Sequence, residues 1–348
     1  MKLNISENMT IKELGKIPEL SIVRDLLFTN PDEEKRNSRL SDYGVRMGGL
    51  LEALDFTAQA AARKDFIIPL YEPGTGDGSS FPSQMKDKTV SCSTASPADV
   101  CLLNFSCHPG GPVCIICPGG GYNREWVLVE GYPMAQALSA QGINAFILIY
   151  RTGYYGLFPH PLDDLARAVA WLLRNQERLS VNMENYAVMG ASAGGHLCAM
   201  WGTAQAGARS YHLPSPAALL LMYPAGILTC FYELWESRIK EGKYEEAEDC
   251  AAYLKRIGGE AFTRKDIERY SLDCLMDDDY PPVYLVHAED DPVVPVRSSH
   301  MTEELLQKHN IPCQIRFAEK GGHSFGLGIG TGAEGWIDEA IAFYKRRL

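Results

Sequence analysis

The sequence predicts an α/β fold with a mostly parallel central sheet and helices on both faces. Three observations carry that expectation. From about residue 112, short β-branched and apolar runs alternate with amphipathic stretches of helical period, the pattern of βα units. Glycine-rich turns follow directly on two of the expected strands, at 118–121 and 190–195. The chain has 348 residues, 46% apolar and 22% charged, a globular composition long enough for one large α/β domain.

Strands are expected near 113–117, 143–150, 185–189, 217–223, 282–288 and 312–318. Helices are expected near 129–141, 162–178, 193–205, 297–309 and 334–347. Spacing supports the helices: Leu165, Ala168, Val169 and Leu172 recur at i, i+3, i+4 and i+7, and Ile337, Ala340, Ile341 and Tyr344 repeat the stripe.

Two regions break the alternation. Residues 224–277 form a charged, helix-prone stretch too long for a simple connection, and read as a helical insertion that caps the sheet. Residues 1–65 read as a helical N-terminal extension to a main domain spanning 66–348. The extension has a capping-box match at Thr10 and Glu13, and a stripe of Met47, Leu50, Leu51, Leu54, Ala58 and Ala61. Packing on the main domain is the favoured use of that stripe, with a homo-oligomer contact as its rival. Residues 73–88, dense in Gly, Ser and Pro, read as a mobile loop.

Charge and patterning exclude several function classes. With 33 basic against 44 acidic side chains, net −11, and no basic stripe, the chain has no attraction for nucleic acid. Its apolar runs are far shorter than the roughly 20 residues needed to cross a bilayer. The N-terminus lacks the pattern of a secretory signal, so a cytoplasmic location is expected. Ten scattered cysteines suit a reducing compartment. Cys114 and Cys117 form a CxxC inside an expected strand, where residues three apart face opposite ways and cannot share a zinc ion. Asp277 to Asp279 lack dispersed ligand spacing and read as surface charge.

The chemistry concentrates in YAVMGASAGGHL, where Gly190, Ser192 and Gly194 make a G-x-S-x-G between an expected strand and an expected helix. A serine on such a tight turn needs small neighbours, which Ala191, Ala193 and Gly195 supply, and its hydroxyl projects at a helix N-terminus. A serine hydroxyl is a poor nucleophile at pH 7. It needs an imidazole as base and a carboxylate to fix that imidazole's tautomer. Of eight histidines, His323 is the candidate base, in the Gly-flanked loop EKGGHSFGLG just after a strand. His196 falls inside the helix opened by Ser192, and His287 inside a strand.

Among Glu289, Asp290 and Asp291, only one acid can orient His323. Asp291, nearest the turn fixed by Pro292 and Pro295, is favoured, with Asp290 its rival. Donors for an oxyanion are expected from the backbone of Gly119 to Gly121 and from the amide of Ala193.

Together CPGGGY and EGYP, the strand ending in Tyr150 and Arg151, PLDD at 161–164, GASAGGHL, DPVVP and GGHSFGLG resemble the α/β-hydrolase superfamily, over roughly residues 110–347. The resemblance is to its esterase and lipase branch, with acetyl xylan esterase-like and feruloyl-esterase-like enzymes. It implies an α/β-hydrolase fold with Ser192 as nucleophile, Asp291 as acid and His323 as base, and Gly120, Gly121 and Ala193 as oxyanion amides. One departure is Pro118, which stands where the lipase-type loop begins with histidine.

The implied reaction is serine carboxylic-ester hydrolysis through an acyl-enzyme, with no metal or organic cofactor. The implied substrate is a small ester or acetylated oligosaccharide carrying short acyl groups. Tyr122, Trp126, Tyr154, Tyr155 and Phe158 lie on loops from which they could stack on sugar rings. Two rivals to this reading are a serine peptidase of the same fold, which usually needs a large gating domain, and a non-catalytic relative that binds a ligand.

Overall fold

Period-2 alternation sorts the strand side chains between two apolar cores, one on each face of a single sheet. In the computed structural model, which describes residues 3–24, 37–71 and 96–348, the strands are β1 Ile67–Pro69, β2 Cys101–Asn104, β3 Pro112–Cys117, β4 Asn144–Ile149, β5 Asn182–Ala191, β6 Ala218–Met222, β7 Val283–Ala288 and β8 Cys313–Ala318. Their order is β1-β2-β4-β3-β5-β6-β7-β8. All neighbours from β4 to β8 pair in parallel, whereas β1 with β2 and β2 with β4 are antiparallel.

Ala145, Ile147 and Ile149 of β4 enter one core, and Phe146 and Leu148 enter the other. Cys114 and Cys117 of β3 divide in the same way, as the sequence predicts. The two antiparallel strands at the edge were not expected, because runs of three and four residues are too short to display a period. The segment 73–88, read as a loop, lies outside the described residues.

Helices Tyr132–Ala140 and Trp336–Lys345 cover the first face, and His160–Leu179 and Ser192–Trp201 the second. The N-terminal segment joins the first core. Ile11, Leu14, Leu50 and Leu54 are buried in the same cluster as Phe105, Tyr132 and Met134. The capping box forms, with Glu13 N donating to Thr10 Oγ1 and Thr10 N donating to the Glu13 carboxylate.

The helix read from Met47 onward is shorter than its stripe. A 3-10 turn covers Leu40–Met47, Gly49 turns left-handed at φ 73°, and the α-helix runs Leu50–Ala61.

Within 224–277 lie helices Leu228–Lys240, Tyr244–Gly258, Arg264–Glu268 and Leu272–Leu275. This insertion docks on the loop after β4, where Gly156 N and Leu157 N donate to the carbonyls of Lys255 and Arg256 at 3.0 and 2.7 Å. That loop leaves the C-terminal end of β4, the edge at which α/β sheets place their ligands.

Leu54 is fully buried, on a helix of the N-terminal segment that packs against the helix Tyr132–Ala140. Leu54→Ala is expected to cost about 2–5 kcal/mol in urea unfolding, with a single transition retained. A loss below about 0.5 kcal/mol would show that the segment unfolds apart from the sheet.

Candidate active site

Three parallel strands bring three distant segments to one end of the sheet. β5 ends at Ala191, and Ser192 opens the next helix with φ 52°, a left-handed backbone that its glycine and alanine neighbours leave room for. β7 delivers Asp291 three residues beyond its end, and β8 delivers His323 five residues beyond its end. His323 Nε2 lies 3.1 Å from Ser192 Oγ, and His323 Nδ1 lies 2.7 Å from Asp291 Oδ2. A carboxylate only accepts, so Nδ1 carries the proton donated to Asp291. In the neutral ring Nε2 is then free to accept from the serine hydroxyl.

The other acid of that turn has a separate task. Asp290 Oδ1 accepts from Gly321 N and Gly322 N, both at 2.8 Å, so it shapes the loop that carries His323 and does not face the ring. Asp291 Oδ1 accepts from Val293 N and Val294 N at 2.8 and 3.0 Å. Its Oδ2 is shared with His287, whose Nε2–H donates at 3.0 Å while Ser299 donates its hydroxyl to His287 Nδ1 at 2.7 Å. Burial on its own would raise the Asp291 carboxyl. The hydrogen bonds from His287, His323 and the Val293 amide outweigh it and hold the group well below the usual carboxylate range.

The glycine turn after β3 faces the serine. A Cβ at Gly119 would stand 2.6 Å from Ala191 O and 2.9 Å from Ser192 Cβ, and one at Gly120 would stand 2.1 Å from Arg124 O. Only glycine fits that approach. Gly119 N is already used, donating to Glu130 Oε2 at 2.8 Å. The amides of Gly120 and Gly121 carry no such bond among the described residues. Ala193, the second residue of its helix, has an amide without an intrahelical partner.

Sequence reasoning missed four groups around this centre. Glu130, buried in EGYP, accepts from Gly119 N, from the Tyr223 hydroxyl at 3.1 Å and from the Ser324 hydroxyl at 2.7 Å. Tyr223 lays its ring edge-on to His323 with centroids 4.9 Å apart. His287 lies in a strand, and its spacing of four before Asp291 is the signal the sequence offers for it. Arg46, from the N-terminal segment, had no signal at all.

The aromatic residues divide. Trp126 and Tyr154 are half-buried and Tyr155 is exposed, so they stay available to a ligand. Tyr122 must be corrected as a stacking residue. It is fully buried, its hydroxyl lies 2.7 Å from His196 Nδ1, and its ring is enclosed by Phe158 at 5.1 Å and Tyr253 at 6.0 Å. Phe158 is buried with it. The YR and PLDD motifs form a buried ion pair, Arg151 Nη2 to Asp164 Oδ1 at 2.7 Å, which holds the loop between them. Asp277 and Asp279 pair with Arg209, and Asp278 pairs with His309.

The Asp291 shift sets a sign for stability against pH. Its folded pKa is below the ordinary value of about 3.9, so the ionised group contributes stability above that pH and loses it as pH falls toward the depressed value. Asp291→Asn is expected to flatten the acid limb of the unfolding free energy below about pH 4 in urea titrations. His287→Phe is expected to flatten it in part. A variant curve parallel to the wild type would contradict the assignment.

The BD-FAE family model matches residues 104–306 of this chain. Esterase LipC of Mycobacterium tuberculosis is 27% identical over 246 residues, which is 68% of this chain and 58% of that protein. The acetylxylan esterase of Xylanibacter ruminicola is 26% identical over 289 residues, 81% of this chain and 50% of that protein. Among solved structures, an acetyl ester-xyloside bifunctional hydrolase from Caldicellulosiruptor lactoaceticus superposes with a TM-score of 0.62 at 25% identity, over 80% of this chain and 95% of that one. The chain spans 34% to 58% of the length of the curated relatives it matches. With the sheet order, these likenesses identify the α/β-hydrolase fold. A family model that matches well over half the chain, on the strands that carry Ser192 and Asp291, means that this protein belongs to the BD-FAE family.

Proposed function

We propose that the protein is a carboxylesterase that works through a Ser192 acyl-enzyme and removes short acyl groups from carbohydrate. The observation that carries this reading is the unbroken hydrogen-bonded chain from Ser192 Oγ through His323 to Asp291. The names of the relatives, esterase and acetylxylan esterase, support the ester and the carbohydrate.

In the first step Ser192 Oγ attacks the ester carbonyl carbon while His323 Nε2 takes the hydroxyl proton. Asp291 stabilises the imidazolium that results. The oxyanion of the tetrahedral intermediate lies against the amides of Gly120, Gly121 and Ala193, where one lost donor typically costs about 3 kcal/mol in barrier. Collapse expels the alkoxide, which His323 protonates as it leaves. Water then attacks the acyl-enzyme with His323 again as base, and the carboxylic acid departs. Trp126 and Tyr154 are the side chains proposed to meet the sugar. Nothing in the cycle draws on a metal or organic cofactor. Among the described residues no helix is long and apolar enough to cross a membrane.

Ser192→Ala and His323→Ala are each expected to lower turnover of 4-nitrophenyl acetate by at least about 10³-fold, and the double variant to lose no more than either alone, since the two act as one unit. Additive losses, or activity retained without Ser192, would refute the acyl-enzyme. A panel of esters from acetyl to long-chain, run beside acetylated xylo-oligosaccharides, tests the substrate. Preference for long chains, or cleavage of peptides instead, would overturn the carbohydrate deacetylation.

A further inference from the structure

The loop that carries His323 has glycine at 321, 322, 326, 328 and 330, so its backbone has much conformational freedom to lose. His323 nonetheless presents Nε2 to Ser192 at 3.1 Å, and the loop must be fixed from outside. Asp290 fixes its start through the amides of Gly321 and Gly322, and Glu130 fixes it through the Ser324 hydroxyl. A further hold comes from far away in the chain. Arg46 Nε–H donates to Ser324 O at 3.0 Å, and Arg46 Nη2–H donates to His323 O at 3.2 Å.

Gly48 and Gly49, just after Arg46, press on the same loop. A Cβ at Gly48 would stand 2.7 Å from Ile329 Cβ, and one at Gly49 2.6 Å from Leu327 Cδ1. The guanidinium carbon of Arg46 lies 5.6 Å from the centroid of the Trp126 ring, which follows the glycine turn. One cation thus touches both the loop that supplies His323 and the segment that leads on from the oxyanion amides.

We propose that Arg46 is a positioning residue, which acts through the carbonyls of His323 and Ser324 to hold the imidazole over Ser192. The N-terminal segment is then a working part of the site and not packing alone, although it lies outside the 104–306 match to the family. The two forked donors suit this task better than a point charge, because a planar guanidinium fixes the direction of two adjacent carbonyls together. The inference rests on His323 acting as the base of the proposed esterase.

The test compares Arg46→Ala and Arg46→Lys in the full chain with 4-nitrophenyl acetate, alongside amide hydrogen exchange. For Arg46→Ala, kcat is expected to fall about 10- to 100-fold with KM within about twofold, the signature of a displaced reacting group. Arg46→Lys is expected to recover part of the loss, and a few millimolar guanidinium added to Arg46→Ala to recover part as well. Amides in 321–328 are expected to exchange faster in Arg46→Ala, while those of β5 and β7 stay as in the wild type. A kcat within twofold of the wild type, loss with neither form of rescue, or unchanged exchange in 321–328 would overturn the proposal. The two readings fail separately. Equal rates for the wild type and Ser192→Ala would remove the esterase, whereas loop exchange judges the Arg46 hold whatever the reaction.

Discussion

The carboxylate of Glu130 joins three of the segments that surround the site. A buried carboxyl is costly unless its oxygens are met by donors, and here they are met by Gly119 N, the Tyr223 hydroxyl and the Ser324 hydroxyl. Those donors belong to the glycine turn after β3, the residue after β6 and the loop after β8. Satisfying one side chain therefore fixes the spacing between the glycine turn and the histidine loop, with the Tyr223 ring wedged against His323. The short helix Val127–Glu130 exists to bring this residue under the turn, which is where Gly119 leaves no room for a Cβ.

Around that tie, neighbouring acids divide the work. Asp290 and Asp291 are adjacent in sequence, yet one shapes backbone and the other holds an imidazole, because successive residues in a turn point in different directions. Asp291 meets four donors, two amides and two imidazoles. Such a carboxylate stays ionised and fixed in place, which suits its proposed role of keeping one tautomer on His323 without taking the proton itself. His287 and Ser299 extend the chain one step further into the core, where no solvent can loosen it.

The legible part of this chain was whatever depends on local period and local backbone chemistry. The six parallel strands and the helices between them showed in short apolar runs such as Ala145 to Ile149, alternating with helical stripes such as Leu165 to Leu172. The G-x-S-x-G turn showed because a left-handed serine demands small neighbours. Residues whose importance arises from contacts across the sheet left weaker marks. Glu130 sits in EGYP with nothing local to give it a role, His287 resembles any strand residue, and Tyr122 reads as a loop aromatic although Phe158, His196 and Tyr253 enclose it in the fold. The strands Ile67–Pro69 and Cys101–Asn104 were too short to carry a period, and gain their identity from pairing with β4 through β2.

By itself, then, the sequence determined the fold class, the strand-to-helix turn at Ser192 and the candidate partners Asp291 and His323, since each follows from spacing, glycine placement and chain order. Only the tertiary structure decided that Asp291 and not Asp290 faces the ring, that Tyr122 is enclosed, and that the N-terminal segment reaches the histidine loop. These are questions of direction and of meetings between residues as far apart as Arg46 and His323. A hydrogen bond forms over about 3 Å in space whatever the separation along the chain, and no local pattern records where such residues meet.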